Sequence, residues 1–258
     1  MRQVLLSGNV PITDKIEITG EDFHHLCHVR RIKVGEKIKV AADSGKVGIF
    51  QVVRITSDAA ILEKQWDEVK EQPGLVFMND LPVGFGCEIY LIQLMPKTVR
   101  FEQILRQGTE IGVSRILPVI SQYSPTEQVS SSKKIRFQKI IKEARQQSGS
   151  MIQTTVDDEM DLAQSIRIAK ERGEKYGKEN CAFFTLSERG GSLLHEKLCV
   201  KKKFISVVIG CEGGFSDGEY NLLIENNFEP INFETNIMRV ETAAIFGIAA
   251  IQTKNLEL

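Results

Sequence analysis

Short segments that alternate polar and apolar side chains fill the N-terminal part of the chain. Lys15–Thr19 shows this alternation most clearly, and it predicts a strand with one buried face. Four further segments of the same kind are Val4–Leu6, Glu36–Val40, Gly48–Val53 and Ala60–Leu62. A short helix is predicted from Asp22 to Arg31. Strands at this spacing, separated by Gly, Asp and Ser turns, predict a small barrel in residues 1–72, ending near Gln72–Gly74.

The rest of the chain, residues 73–258, alternates apolar strands with amphipathic helices, a pattern typical of an α/β domain. The predicted strands are Glu88–Met95, Ile116–Ile120, Ala182–Leu186, Ile205–Ile209 and Pro230–Phe233. The predicted helices are Thr98–Ile111, Lys133–Gln147, Leu162–Lys170, the segment that follows Ser216, and Val240–Gln252. A charged loop is expected from Arg172 to Asn180. Pro82–Gly86 is expected to interrupt regular secondary structure before the first strand.

Composition is that of an ordinary folded protein, with 42% apolar and 26% charged residues among 258. The 33 basic and 34 acidic residues leave a formal net charge of −1, so a phosphate backbone would have to be met by a local basic patch. No secretion signal is visible, and no apolar run approaches the ~18 residues of a membrane span. Five cysteines without C-x-x-C spacing indicate a reduced, cytoplasmic setting.

Three glycines follow the strand that ends at Ile209: Gly210, Gly213 and Gly214. Their order lacks the G-x-G-x-x-G fingerprint of a dinucleotide site and the Gly-Lys-Ser/Thr ending of a P-loop. A nucleotide-dependent oxidoreductase is therefore a weak alternative. Ser216, with Glu219 three residues later, has the form of a capping box, which predicts strand, glycine-rich turn and helix.

Two segments carry a family resemblance: Ile209–Ser216 (IGCEGGFS) and Ile237–Ala243 (IMRVETA). They resemble the ribosomal RNA small subunit methyltransferase E family, a branch of the SPOUT methyltransferases, and the resemblance extends more thinly to His24–Gly35, Lys97–Val113 and Glu143–Ser148. It implies an N-terminal PUA-like β-barrel that helps to hold RNA. It also implies a C-terminal α/β domain with a deep trefoil knot, in which about residues 182–252 bind S-adenosylmethionine. The implied enzyme is a homodimer, joined through the knotted domain, that methylates N3 of a uridine in 16S rRNA of the small ribosomal subunit.

The resemblance suggests which side chains act. The expected cofactor contacts are Leu186, Gly210, Glu212, Gly213, Gly214, Ile237, Met238, Arg239, Thr242 and Ala243. Arg239 is the candidate catalytic residue, a cation beside the charge that develops on the uridine; alternatively, it forms a structural salt bridge with Glu241 or Glu212. Glu241, the second candidate, is expected to orient the loop or cap the helix. No general base is assigned, because Glu212 is only a possibility and a carboxylate that holds loop N–H groups is the alternative.

Five basic residues are candidate RNA contacts: Arg30, Arg31, Lys97, Arg100 and Arg145. Arg145 belongs to a basic helix face with Lys133, Lys134, Arg136, Lys139 and Lys142. That face is either an RNA footprint or merely solvated, and both interpretations stay open. His24 and His28 have the i, i+4 spacing of a metal pair, but no second pair follows, so no metal is expected.

The chain departs from the family pattern at several positions. Cys211 replaces the usual proline, and Ser150 stands where arginine is usual. Glu234 and Asn236 lie where the family tends to have a glycine and an arginine. These departures leave two alternatives, which are a SPOUT methyltransferase with a different RNA target and a non-catalytic RNA- or ribosome-binding protein that retains the fold.

Overall fold

The computed structural model describes residues 3–6, 13–42, 47–65, 76–78, 81–83, 86–125, 129–150 and 152–258. The N-terminal sheet has the strand order β1-β3-β4-β5-β2 and is antiparallel except for the parallel pair β1 and β3. Its strands are β1 (Gln3–Leu6), β2 (Lys15–Thr19), β3 (Lys37–Ala42), β4 (Val47–Ile55) and β5 (Ala59–Lys64). All five strands predicted here are present.

A helical segment closes one side of this sheet. It begins with α1 (Gly20–Phe23) and continues as a π-helix over His24–Val29, so the predicted helix is present but starts two residues earlier. Phe23 and Leu26 are buried against the strands. Because β2 alternates exposed and buried positions, Ile16 and Ile18 join the same core.

A small antiparallel pair, β6 (Val76–Met78) and β7 (Leu81–Val83), lies between the two larger sheets in the chain. The sequence did not predict this pair of strands, because Pro82–Gly86 was expected only to interrupt regular secondary structure. The predicted boundary at Gln72–Gly74 lies outside the described residues.

The C-terminal sheet is parallel throughout, with the strand order β10-β9-β8-β12-β11-β13. Its strands are β8 (Glu88–Leu94), β9 (Arg115–Val119), β10 (Thr155–Val156), β11 (Cys181–Leu186), β12 (Phe204–Ile209) and β13 (Glu229–Ile231). The central strands β8 and β12 are buried at every position, which explains why most of their residues are apolar. The two-residue strand β10 was not predicted.

Helices cover both faces of this sheet. They are α2 (Thr98–Glu110), α3 (Ser131–Ser148), α4 (Leu162–Glu174), α5 (Leu194–Lys197), α6 (Asp217–Glu225) and α7 (Val240–Leu256). One core packs Phe101, Phe137 and Ile248 of α2, α3 and α7 on one face. A second core packs Ile166 and Leu223 of α4 and α6 on the other. The parallel sheet with helices on both faces confirms the predicted α/β class.

The charged loop predicted for residues 172–180 is wrong. Helix α4 continues to Glu174, and a 3₁₀ turn covers Lys178–Asn180. Tyr176 is buried, and its hydroxyl donates to Glu88 Oε2 at 2.8 Å. The burial of Tyr176 was not predicted, because its neighbours in the sequence are charged.

Candidate functional site

The carboxyl ends of the parallel strands define the edge at which open α/β sheets bind ligands. The segments that follow β8, β9, β11, β12 and β13 there are residues 95–97, 120–125, 187–193, 210–216 and 232–239. They contain all of the expected cofactor contacts except Leu186, at the end of β11, and Thr242 and Ala243, in the first turn of α7.

The glycine-rich segment after β12 folds back on itself. A Cβ on Gly210 would lie 3.0 Å from Gly214 Cα, and Gly214 has φ +70°. A Cβ on Gly213 would lie 2.8 Å from Tyr123 Cβ in the segment after β9. Close backbone approach therefore requires glycine at Gly210 and Gly213, and positive φ favours it at Gly214. Tyr123 was not expected at this site.

Gln93, which the sequence analysis also missed, ties this segment to β8. Its Nε2 donates to Gly210 O at 3.1 Å and to Leu94 O at 2.9 Å, and the side chain is fully buried. One amide inside a continuous apolar strand is a visible sequence signal, because a buried polar group needs a partner. Its partner is more than a hundred residues away and cannot be read from the sequence.

Two further contacts hold the segment after β11. Arg189 donates from Nη1 to Asp217 Oδ1 at 2.6 Å and from Nη2 to Phe215 O. Leu186 packs against α7 so closely that a Cβ on Gly247 would lie 2.1 Å from Leu186 Cδ1. The segments after β11 and β12 are thus fixed to each other, and β11 is fixed to α7.

The segment 232–239 is the most exposed part of the site. Ile237 is 85% exposed and Met238 is half-buried. Glu234 has φ +52°, and its N–H donates to Asn232 Oδ1 at 2.7 Å. Within the described part of the chain, the backbone N–H groups of Ile237 and Met238 donate to no other residue. This segment therefore presents the exposed apolar side chain of Ile237 together with two backbone N–H groups that are available to a ligand.

Charges near this segment do not form the salt bridge that was the alternative role for Arg239. Arg239 occupies the N-cap position of α7 without a side-chain capping hydrogen bond, is exposed, and forms no salt bridge with any described residue. Arg100 instead lies 3.3 Å from Glu212 and 3.5 Å from Glu241. Lys97 N also donates to Glu212 Oε1 at 3.2 Å. Glu212 thus holds a backbone N–H, as one alternative expected, but in another segment.

Three of the six basic residues of the α3 face have acidic partners. Lys134 lies 2.6 Å from Asp158, Lys142 lies 2.7 Å from Asp22, and Arg136 pairs with Glu102. The placement of Arg145 on that solvent face is wrong, because this residue is 7% exposed. The structure therefore favours a structural role for this helix face, and the Lys142–Asp22 pair links α3 to the N-terminal sheet.

The N-terminal candidates lie at the end of the π-helix. Arg31 is exposed and has φ +51°, and Arg30 is half-buried. Burial and, next, the Arg30 charge lower the pKa of His25. The rings of His24 and His28 are 5.1 Å apart, and no group of three or more metal-type ligands occurs in the ranges given above. No helix among those same residues is both long and apolar enough to cross a membrane.

Two family models match the sequence. The RNA methyltransferase domain matches residues 85–252, which is more than half of the chain. The RNA methyltransferase PUA domain matches residues 18–65.

Relatives match over nearly the whole length. The chain is 26% identical over 254 residues to ribosomal RNA small subunit methyltransferase E 2 of Borreliella burgdorferi, covering 96% of each chain. It is 25% identical over 249 residues to ribosomal RNA small subunit methyltransferase E of Bacillus subtilis, covering 91% of this chain and 88% of the relative.

Solved structures show the same fold. A ribosomal RNA small subunit methyltransferase E from Neisseria gonorrhoeae, bound to S-adenosyl methionine, has a TM-score of 0.80 at 22% identity, with 98% of this chain and 97% of that one covered. A methyltransferase from Legionella pneumophila, in complex with the same cofactor, has a TM-score of 0.76 at 21% identity, with 97% and 96% covered.

Proposed function

The chain belongs to the RNA methyltransferase domain family, and we propose that it transfers a methyl group from S-adenosylmethionine to N3 of a uridine in 16S rRNA. The observation that carries the proposal is the guanidinium of Arg239, which has no salt bridge with a described residue and lies beside an exposed apolar segment at the carboxyl edge of the sheet. The names of the full-length relatives support the ribosomal RNA target.

The carboxyl edge fits this cofactor. A Cβ on Gly214 would meet only Glu188 Oε1, at 3.9 Å, so the backbone there borders open space. Ile237 and Met238 offer apolar surface for adenine, and their N–H groups are free to donate to the polar parts of the ligand. When bound, S-adenosylmethionine supplies an electrophilic methyl group on a sulfonium sulfur.

We assign cofactor binding to residues around these segments. They are Leu186, Gly210, Glu212, Gly213, Gly214, Ile237, Met238, Arg239, Thr242 and Ala243. In this assignment the glycines contribute backbone, because a side chain at Gly210 would collide with Gly214 and one at Gly213 would collide with Tyr123. Glu212 contributes by fixing the turn, since its carboxylate already accepts from Lys97 N.

Arg239 has the catalytic role in this proposal. N3 of uridine is a poor nucleophile until its proton leaves, and the resulting charge spreads over the two neighbouring carbonyl oxygens. A guanidinium placed there stabilises that charge, and one such donor is typically worth ~10²–10³ in rate. Glu241 orients the start of α7 through its ion pair with Arg100.

The proposed RNA face comprises Arg30, Arg31 and Lys97. Arg31 and Lys97 are exposed, so their charges can meet phosphate groups although the net charge of the chain is −1. Arg100 and Arg145 are better assigned to the framework, since Arg100 holds two carboxylates and Arg145 is buried.

We also propose the finer architecture. Residues 1–72 form a PUA-like β-barrel, residues 73–258 form the SPOUT domain, and a deep trefoil knot lies within about residues 182–252. The similarity of fold to the two cofactor-bound methyltransferases supports this division. Free cysteines, such as exposed Cys199, are consistent with a reduced cytoplasmic setting.

A homodimer through α7 completes the proposal. The inner side of this helix packs Ile248 and Ile251 into the core, while Phe246 is exposed and Ile245 is half-buried on the outer side. A helix that is apolar around its whole circumference is normally covered on all sides. Sedimentation of the purified chain at several concentrations tests this point, since a monomer at every concentration would contradict it.

The reaction itself is tested with labelled S-adenosylmethionine and small ribosomal subunits that lack the modification. After transfer, the RNA is digested to nucleosides and analysed by mass spectrometry. Label in 3-methyluridine supports the proposal. Label in another nucleoside would favour the alternative of a different RNA target, which the Glu234 and Ser150 departures motivate. Cofactor binding without any transfer to subunits or free RNA would favour a non-catalytic binding protein.

A further inference from the structure

Arg100, in the first turn of α2, lies between two carboxylates of the candidate site. Its Nε is 3.3 Å from Glu212 Oε1, and its Nη1 is 3.5 Å from Glu241 Oε2. The Glu241 side chain is 12% exposed, and its Oε2 is shielded from solvent without a hydrogen-bond partner. Within the described residues, Arg100 is the charge partner that compensates this carboxylate.

Arg239 has the opposite surroundings. It lies two residues before Glu241, yet it is exposed and forms no salt bridge with a described residue. Without Arg100, the carboxylates of Glu212 and Glu241 would lose the cation that holds them. Arg239 would then be the nearest cation in the sequence to Glu241, and an opposite charge favours pairing.

We propose that Arg100 is a positioning residue that holds Glu212 and Glu241 and thereby keeps the guanidinium of Arg239 unpaired for the reacting base. The inference rests on the proposed function only for the identity of that base. A free cation stabilises developing negative charge far better than one already neutralised by a carboxylate. The forked guanidinium suits Arg100 to this task, because separate nitrogens face the two carboxylates, as the single ammonium of a lysine cannot.

A chemical probe tests this inference without cofactor or RNA. Phenylglyoxal modifies free guanidinium groups, and the modified Arg239 peptide is quantified by mass spectrometry. In Arg100→Met the rate at Arg239 should fall by about three-fold, the factor that one exposed ion pair provides. In the triple variant Arg100→Met, Glu212→Gln, Glu241→Gln it should return to the wild-type rate.

Two matched variants complete the test. Arg106→Met removes an exposed arginine from the same helix and should leave the Arg239 rate unchanged. Arg100→Lys keeps one charge and should give an intermediate rate, which also serves if the methionine variant does not fold. Equal Arg239 rates in wild type, Arg100→Lys and Arg100→Met would overturn the inference, as would a slow rate that persists in the triple variant.

Kinetics on RNA separate positioning from phosphate contact. Positioning predicts that Arg100→Met lowers kcat by about three-fold or more, while KM for RNA and the affinity for S-adenosylhomocysteine stay within about two-fold. A raised KM for RNA, with a salt slope reduced by about one and an unchanged kcat, would identify Arg100 as a phosphate contact and contradict the proposal. If wild type transfers no methyl group but the probe gives the expected rates, the proposed function fails while the pairing inference stands.

Discussion

Two charged side chains at opposite edges of the parallel sheet, Glu88 and Arg239, have different surroundings. At the amino edge, Glu88 is 8% exposed and accepts from Arg172 Nε at 2.6 Å and from the Tyr176 hydroxyl at 2.8 Å. At the carboxyl edge, Arg239 is exposed and has no salt bridge within the described residues, and Glu234 adopts φ +52°. Glu88 is thus compensated at the amino edge, whereas Arg239 at the carboxyl edge has no charge partner among the described residues, although Arg100 and Arg189 at that edge are paired.

Electrostatics agree with this contrast. The hydrogen bond to Glu88 raises the pKa of Arg172, while burial and then Glu88 raise the pKa of Tyr176. Those groups are held in fixed protonation states and serve stability. At the carboxyl edge, the Arg239 guanidinium and the N–H groups of Ile237 and Met238 have no partner among the described residues. The difference indicates where the molecule is built for stability and where it is built for a ligand.

The largest change in stability is expected at the amino edge. Glu88→Ala leaves Arg172 and Tyr176 without their shared acceptor, and breaking a buried pair in this way costs about 3 kcal/mol. Urea unfolding measures the loss, and calorimetry should show unchanged affinity for S-adenosylhomocysteine in the folded variant. Glu171→Ala, at an exposed position of α4, is the control with little effect. A large loss of cofactor affinity in Glu88→Ala would contradict the conclusion that the amino edge serves stability and the carboxyl edge serves ligand binding.

A smaller loss of stability is expected at the carboxyl edge, with a different signature. Gly213→Ala places a Cβ 2.8 Å from Tyr123 Cβ, and such overpacking costs about 1–2 kcal/mol. Because the glycine-rich segment must shift, affinity for S-adenosylhomocysteine should fall by about ten-fold, as calorimetry can measure. Gly218→Ala, where a Cβ has nothing within 4 Å, should keep wild-type affinity. Unchanged affinity in Gly213→Ala would remove this segment from the cofactor site.

The free energy of unfolding at alkaline pH should depend on Cys87, which lies just before Glu88 and is 4% exposed. Burial raises the pKa of this thiol from 9.0 to about 12. The folded state therefore keeps a proton that the unfolded state releases, so stability is full below pH 9 and falls as the pH rises toward 12. At pH 10 the loss is about 1.4 kcal/mol, and Cys87→Ala should abolish this part of the slope. Equal alkaline slopes in urea unfolding of both proteins would contradict the assignment.

The smallest expected effect is a gain in the free energy of unfolding. Glu234→Gly relieves a left-handed backbone conformation and should raise the free energy of unfolding by about 0.5–1 kcal/mol. Thr235→Gly, whose φ is not positive, should lower it by roughly 0.5 kcal/mol through chain entropy. Thermal unfolding measures both. A loss of stability in Glu234→Gly would show that the bond from Glu234 N–H to Asn232 outweighs the strain.

Local features of the fold were readable from the sequence. Ser216 caps α6 as predicted, accepting from Glu219 N at 3.3 Å, and Ser130 caps α3 in the same way, accepting from Lys133 N at 3.4 Å. Gly112 ends α2 with φ +83°. Such signals act within a few residues, so no tertiary information is needed to recognise them.

Features that depend on distant partners were not readable. The sequence placed Arg145 with solvent-facing lysines, yet packing against neighbouring elements buries it. Arg239 was weighed as the partner of Glu241 because the two are close in sequence, but Arg100 from α2 lies within 3.5 Å of Glu241 instead. Glu234 is a partial exception. It stands where the family tends to have a glycine, and its φ of +52° lies in the region that favours glycine, so the departure from the family pattern marked an unusual backbone conformation.

The central claim is that the unpaired Arg239 at the carboxyl edge acts on the reacting uridine. Its most direct test is the single-turnover rate of 3-methyluridine formation in Arg239→Ala, measured beside the affinity for S-adenosylhomocysteine. We predict a rate about 10²–10³-fold below wild type, with cofactor affinity changed by only a few-fold. A rate within a few-fold of wild type at saturating RNA and cofactor would contradict the claim.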